Sequence, residues 1–276
     1  MDQLRFGTAG IPLCTFPHTT VNGIKRVREL GLEAMELEFV RQVNISEDKA
    51  PEVKAAAQKH DIVLTCHGQY FINLNSPERA ITEASMKRIY QAAKIASLCG
   101  AYSMTFHAAY YMKNPAEQVY QAVKATLKPV MEQLQDEGHK LWIRPETTGK
   151  AAQWGELKEI LRLSQELEQV MPAIDFSHMH ARTGGKNNTL EEFRQILTDV
   201  EKALGRKGLD DMHIHVSGIH YTDKGERHHL NLKESDMNYQ DLLKAWKEFK
   251  LKGAVISESP NIEGDALLMK GEYERA

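Results

Sequence analysis

The sequence predicts an α/β fold, a single (β/α)8 barrel of the TIM type spanning residues 1–276. Three observations carry this reading. Eight short apolar runs alternate with helical patterns from one end of the chain to the other. Metal-type ligands stand just past these runs, at His67, His107, Glu146, Asp175 and His178, His213 and His215, the 226–229 segment, and Glu258. No G-x-G-x-x-G turn follows the first strand, as a doubly wound dinucleotide fold would require, and Gly7-Thr8-Ala9-Gly10 is too short to serve. Strand–helix alternation implies a parallel sheet, and eight units imply closure into a barrel whose C-terminal mouth carries the chemistry.

The predicted strands cover residues 5–9, 34–39, 62–66, 103–106, 141–144, 171–174, 212–215 and 254–257. Between them the apolar spacing is helical over about ten residues or more, for example over 80–98 and 116–135. Leu30-Gly31, Cys99-Gly100, Glu137-Gly138 and Lys252-Gly253 read as helix ends. The longest irregular stretches, 181–188 and 217–236, both follow strands, on the face where a barrel carries its functional loops. No composition break marks a second domain.

With 276 residues, 42% hydrophobic and 26% charged, the chain can bury a full core. No stretch approaches the roughly 20 apolar residues that span a bilayer. The chain enters Leu4-Arg5-Phe6-Gly7 with no signal-peptide core, so the expected location is the cytoplasm, with no membrane partner. Cys14, Cys66 and Cys99 form no C-x-x-C pair and read as free thiols. The net charge of −3 argues against non-specific nucleic-acid binding. A carboxylate-rich site contributes negative charge that divalent cations would cancel, so the formal charge does not decide the partner.

Equivalent strand ends point into one mouth, which makes the ligand types informative together. His67 follows Ile62-Val63-Leu64-Thr65-Cys66, and His107 follows Ser103-Met104-Thr105-Phe106. Glu146, in Arg144-Pro145-Glu146-Thr147-Thr148-Gly149, is placed to bridge two cations; its structural alternative is an ion pair with Arg144. Asp175 and His178 put a hard oxygen and an imidazole three residues apart, and the alternative for Asp175 is a helix cap. His180 is expected to be a bystander. Period-two geometry puts His213 and His215 on one side of their strand, with His215 at the mouth and His213 a layer deeper. Glu226-Arg227-His228-His229 lies in a glycine-containing loop, and Glu258 closes the last strand before Pro260.

These residues resemble the endonuclease IV family of metal-dependent apurinic/apyrimidinic endonucleases, a branch of the xylose isomerase-like TIM barrels. The most specific parts are Asp175-x-x-His178, the run from His215 to His229, and Glu258. The resemblance implies a trinuclear zinc centre. His67, His107 and Glu146 would hold one ion. Glu146 would bridge to a second, shared with Asp175, His215 and Glu258, and His178, Glu226 and His229 would hold the third. Glu146 and Glu258 are the implied catalytic carboxylates. The family's third-ion loop reads Asp-x-His, so strict spacing selects His228, whereas the leucine three residues after His229 selects His229. A gap-free match likewise selects His213, while strand geometry selects His215. The family's Glu-Asn-Thr is Glu146-Thr147-Thr148 here. Tyr70 and Phe71 stand where the family probes DNA.

What the resemblance implies is hydrolysis of the phosphodiester 5′ to an abasic site in base-excision DNA repair. The expected cofactor is two or three Zn2+ ions, with Mn2+ as the alternative, and the expected partner is damaged duplex DNA bound by a monomer. A metal-dependent sugar isomerase or epimerase on the same barrel is the rival, since Glu146, Asp175, His215 and Glu258 alone suit it. The additional imidazoles favour several borderline-soft ions. A non-enzymatic metal-binding role stands third.

Overall fold

Alternation within the strands decides which side chains enter the barrel. In Val63-Leu64-Thr65-Cys66-His67, Leu64 and Cys66 face the surrounding helices, while Thr65 and His67 face the lumen. The same parity sets Ala34, Glu36 and Glu38 inward on one neighbour and Ser103 and Thr105 inward on the other. Within the lumen Ala34, Ala254 and Ile256 form a small apolar cluster with Ala9 and Val63, separate from the main core. Around it the lumen is polar, with Glu36, Thr65, Thr105, His213 and His215 all fully buried.

The computed structural model describes residues 1–275. The strands are β1 Leu4–Ala9, β2 Ala34–Glu38, β3 Val63–His67, β4 Ser103–Phe106, β5 Ala109–Tyr110, β6 Trp142–Pro145, β7 Gln153–Trp154, β8 Ile174–Asp175, β9 Met212–Val216, β10 Gly218–Thr222, β11 Gly225–Leu230 and β12 Gly253–Ser257. Eight of them form one parallel sheet in the order β6-β4-β3-β2-β1-β12-β9-β8. Parallel bridges from Ile143 to Val170 and from Glu146 to Ala173 join its two ends. The sheet is therefore closed, which excludes the doubly wound alternative.

The expected strand over 171–174 is reduced to Ile174–Asp175 flanked by those two bridges. Pro172 has no N–H to give the ladder, so pairing there is intermittent. The predicted helices match closely, at Arg79–Leu98 and Ala116–Asp136. Gly31, Gly100 and Gly138 follow helix ends with φ of 79°, 80° and 79°, the left-handed conformation in which a β-carbon is penalised. Gly253 is a correction. It opens β12, and the preceding helix, Tyr239–Glu248, ends five residues earlier.

The main core lies between sheet and helices. Trp246 is fully buried, with its ring 5.8 Å from Phe176 and 6.5 Å from Phe6. The stretch 217–236 is a second correction, because most of it is the antiparallel hairpin β10–β11. Its β-branched and aromatic residues, Ile219, Tyr221 and Thr222, and the turn Asp223-Lys224 before Gly225, suit a hairpin. No helix is long and apolar enough to cross a membrane among the described residues.

Candidate metal centre

All nine side chains expected to ligate metal meet at the C-terminal mouth in three groups, two of which share Glu146. In the first, His67 Nε2 and His107 Nε2 each lie 3.5 Å from a Glu146 carboxylate oxygen. In the second, Glu146, Asp175, His215 and Glu258 converge, with His215 Nδ1 3.4 Å from both Glu146 Oε1 and Glu258 Oε1. In the third, His178 Nε2 is 3.5 Å from Glu226 Oε2, and His229 completes the group. His178 Nδ1 lies 3.2 Å from Glu146 Oε1, linking the third group to the bridge.

Strand parity brings in most of this set, and a β-bulge brings in the rest. Between His220 and Tyr221 the β10–β11 register shifts, so Ile219 pairs with His229 and Tyr221 with Glu226. Arg227 is the extra residue. It moves His229 onto the face of Glu226 and sends His228 outward, where its ring stacks edge-on with His220 at 5.0 Å. His229 thus joins the cluster, and His228 does not. His215 is likewise the mouth residue, with His213 beneath it, bonded to Ser103 Oγ at 2.9 Å. His180 stays outside the three groups, buried against Asp236 and Lys186.

The rings are oriented by what their other nitrogen holds. Nδ1 of His67 faces the Gly68 carbonyl at 2.7 Å, that of His178 the Thr147 carbonyl at 3.1 Å, and that of His229 the Glu258 carbonyl at 3.1 Å. A ring that donates from Nδ1 presents the Nε2 lone pair to the site. Asp175 serves two purposes. Its Oδ1 caps the helix Phe176–Arg182 by accepting the His178 N–H at 2.6 Å, and its Oδ2 has no partner. Glu146 shows no pairing with Arg144, whose guanidinium instead bonds the Pro172 and Asp211 carbonyls on another layer.

The donor set fits cations. Glu146 Oε1, Asp175 Oδ2, Glu258 Oε2 and His215 Nδ1 are buried and lack a hydrogen-bond partner. Four unpaired polar atoms converging in one dry place would be costly unless a cation joins them. Titration tells the same story. Burial alone would pull His67 down, yet Glu146, Glu38 and Glu36 outweigh it and push it up to about 10. His178 and His215 are also raised well above the usual imidazole value against the effect of burial, chiefly by Asp175 and Glu258 respectively. Protons on the rings thus take the place of cations among the carboxylates.

Two acidic residues escaped the sequence reading. Glu36 lies between His213 and His215, and Glu38, at the end of β2, is pushed up to about 8 by burial and the nearby Glu36. The signal was present in Ala34-Met35-Glu36-Leu37-Glu38, where both acids share the inward parity of the strand. A cavity of about 670 Å3 lies beside the ligand cluster rather than over it, lined by Gly10, His18, Glu36, Glu38, Asn44 and Ile262 among others.

The rim is apolar in patches. Among the described residues nine large hydrophobic side chains are exposed, and six sit on mouth loops: Leu13, Phe16, Tyr70, Phe71, Tyr110 and Met112. Phe71 is 70% exposed while Ile72 and Leu74 are buried, so Phe71 is a rim residue and not part of the core beneath the loop. Tyr70 stands edge-on to His67 with ring centres 5.6 Å apart. Arg41, Lys113, Lys186, Lys224 and Arg227 are exposed on the same side without a carboxylate partner among the described residues.

Comparison with known proteins agrees with this architecture. Over 271 residues the chain is 42% identical to the uncharacterized protein MJ0133 of Methanocaldococcus jannaschii, covering 98% of this chain and 97% of that one. A D-tagatose 3-epimerase-like protein superposes with a TM-score of 0.72 at 18% identity, covering 97% of both chains. Endonuclease IV from Thermus thermophilus superposes with a TM-score of 0.70 at 15% identity, covering 98% of this chain and 100% of that one. At such identities the likeness shows the fold alone, and two differently named proteins fit it equally well. The family model for the xylose isomerase-like TIM barrel matches residues 24–273, and with the closed sheet and the ligands at its mouth this establishes that the chain belongs to that family.

Proposed function

We propose that this protein is a metal-dependent phosphodiester hydrolase that cuts duplex DNA 5′ to abasic sites. The observation that carries the reading is three ligand groups, two sharing Glu146 and the third linked to it through His178, which would suit three cations where a sugar epimerase would need one or two. Five imidazoles in the set favour zinc over harder ions. Such ions supply activation of water and stabilisation of charge on a phosphate when bound.

The protein's own residues would do the rest. His67, His107 and Glu146 would hold one ion, Glu146, Asp175, His215 and Glu258 the second, and His178, Glu226 and His229 the third. Glu146 and Glu258 would fix the geometry of the reacting phosphate, since both reach the mouth from strand ends that cannot shift independently. The unpaired rim cations suit a phosphate backbone. Tyr70 and Phe71 suit an unstacked base step, where apolar wedges hold a duplex kinked around an extruded nucleotide.

A second reading has its own observation. The cavity beside Glu36 and Glu38 has the volume of a small-molecule site, and the group Glu146, Asp175, His215 and Glu258 suffices for one ion of a sugar epimerase. Counting ions in the purified protein and assaying an abasic duplex separates the two. Three ions, with cleavage abolished by chelator and by Glu258→Gln, is the expected result. One ion, with turnover of a free sugar and an intact duplex, would overturn the nuclease reading.

A further inference from the structure

Glu36 is fully buried two residues before the end of β2, with Oε1 2.9 Å from His215 Nε2 and Oε2 2.9 Å from His213 Nε2. The trio could itself hold a cation, and the two Nε2 atoms are only 3.1 Å apart. Distances decide against that. Two donors about 2.0–2.1 Å from a tetrahedral ion stand roughly 3.3–3.4 Å apart. The ion-facing pairs at the mouth lie close to that, at 3.4 to 3.5 Å. The Glu36 contacts are shorter, at the length of an N–H donating to a carboxylate.

We propose that Glu36 is a positioning residue for the metal centre, accepting the Nε2 proton of His215 so that the Nδ1 lone pair faces Glu146 and Glu258. A neutral imidazole carries one proton, and a carboxylate at one nitrogen puts the proton there. His215 is the ring in the set that presents Nδ1 rather than Nε2 to the site, so it needs a partner on the opposite edge from His67, His178 and His229. Glu36 is that partner. His213 Nε2 lies 2.9 Å from the second Glu36 oxygen, and its Nδ1 lies 2.9 Å from Ser103 Oγ. A carboxylate this deep is tolerable because two imidazoles face it and a cation held on the far side of His215 would offset its charge. The inference rests on the metal reading of the site. It concerns the four-residue group common to the nuclease and epimerase readings, so it does not depend on which substrate is correct.

The test uses zinc and the full-length chain. Zinc is titrated against a chromophoric chelator in the wild type and in Glu36→Gln, and ring nitrogens of 15N-histidine protein are read by NMR. The expected result is one ion bound 10–100-fold more weakly in the variant, with the other ions unchanged. In the zinc-loaded wild type His215 should carry its proton on Nε2 alone, and in the variant that single form should be lost. A variant with wild-type zinc affinity would overturn the proposal. So would a wild type holding one ion more than the variant, with His213 and His215 Nε2 both metal-shifted, because Glu36 would then be a ligand. If Glu36→Gln does not fold, the wild-type spectrum decides alone: a His215 proton absent from Nε2 overturns the proposal. A wild type that binds no zinc overturns the metal reading and this inference together, whereas zinc binding with an unaffected variant overturns this inference only.

Discussion

Glu226 and His229 are three residues apart on one strand, yet they face the same side of it. In a regular strand that spacing points two side chains to opposite faces. Arg227 is the bulged residue that restores the match, so the local acid-x-x-His takes the part of an acid-x-His on an unbulged strand. His229→Ala should therefore lower the zinc content by one ion, and His228→Ala should leave it unchanged. Deleting Arg227 should also leave it unchanged, because removing the bulge keeps Glu226 and His229 on one face. Loss of an ion in His228→Ala would show the opposite register.

Gly149 makes room for the third group. A β-carbon there would lie 2.7 Å from Glu226 Cβ and Oε2 and 3.1 Å from His178 Cδ2. The clash is with two proposed ligands and not with a flexible surface chain. Gly149→Ala should displace Glu226, release one ion and cost about 1–3 kcal/mol by overpacking. Metal analysis with thermal unfolding checks both parts. Full ion content in a well-folded Gly149→Ala protein would refute the close approach.

Asp175 separates architecture from metal binding. Burial raises its carboxyl well above the ordinary range despite His178, which favours the neutral form. Asparagine resembles that neutral state and keeps an oxygen for the helix cap. Asp175→Asn should unfold at the wild-type temperature in chelator yet bind zinc poorly. Asp175→Ala should lose zinc and also about 0.5–2 kcal/mol of stability, the usual contribution of a cap. Equal stability of the two variants in chelator would mean that the cap contributes nothing.

Tyr70 and Phe71 report on the substrate. Replacing both by alanine should weaken binding to an abasic duplex by about 1–3 kcal/mol per lost stacking contact. Zinc content should not change, since neither ring lies in a ligand group. Unaltered duplex affinity in a folded, fully loaded double variant would favour a small-molecule substrate.

Much of this protein was determined locally and could be read from the chain. Strand parity is a property of consecutive residues, so His67, His107 and His215 could be placed inward before any contact was known. The same parity would have placed Glu36 and Glu38 had β2 been read for acids as its neighbours were read for imidazoles. Glycine after a helix end is equally local, which is why Gly31, Gly100 and Gly138 were legible, while Gly253 misled because the helix before it ended early.

Tertiary structure decided what depends on a partner strand or a neighbouring element. The choice between His228 and His229 turned on the register of β11 against β10, and a bulge leaves no mark in the residues that form it. The exposure of Phe71 depended on which of its neighbours filled the space beneath the loop. The role of Glu36 required β2 and β9 to face each other across the lumen, nearly 180 residues apart in sequence. Residue types and spacing determine what a strand end can offer a cation. Only closure of the barrel determines which of those offers meet, because donors must stand within about 3–4 Å of one another to share an ion.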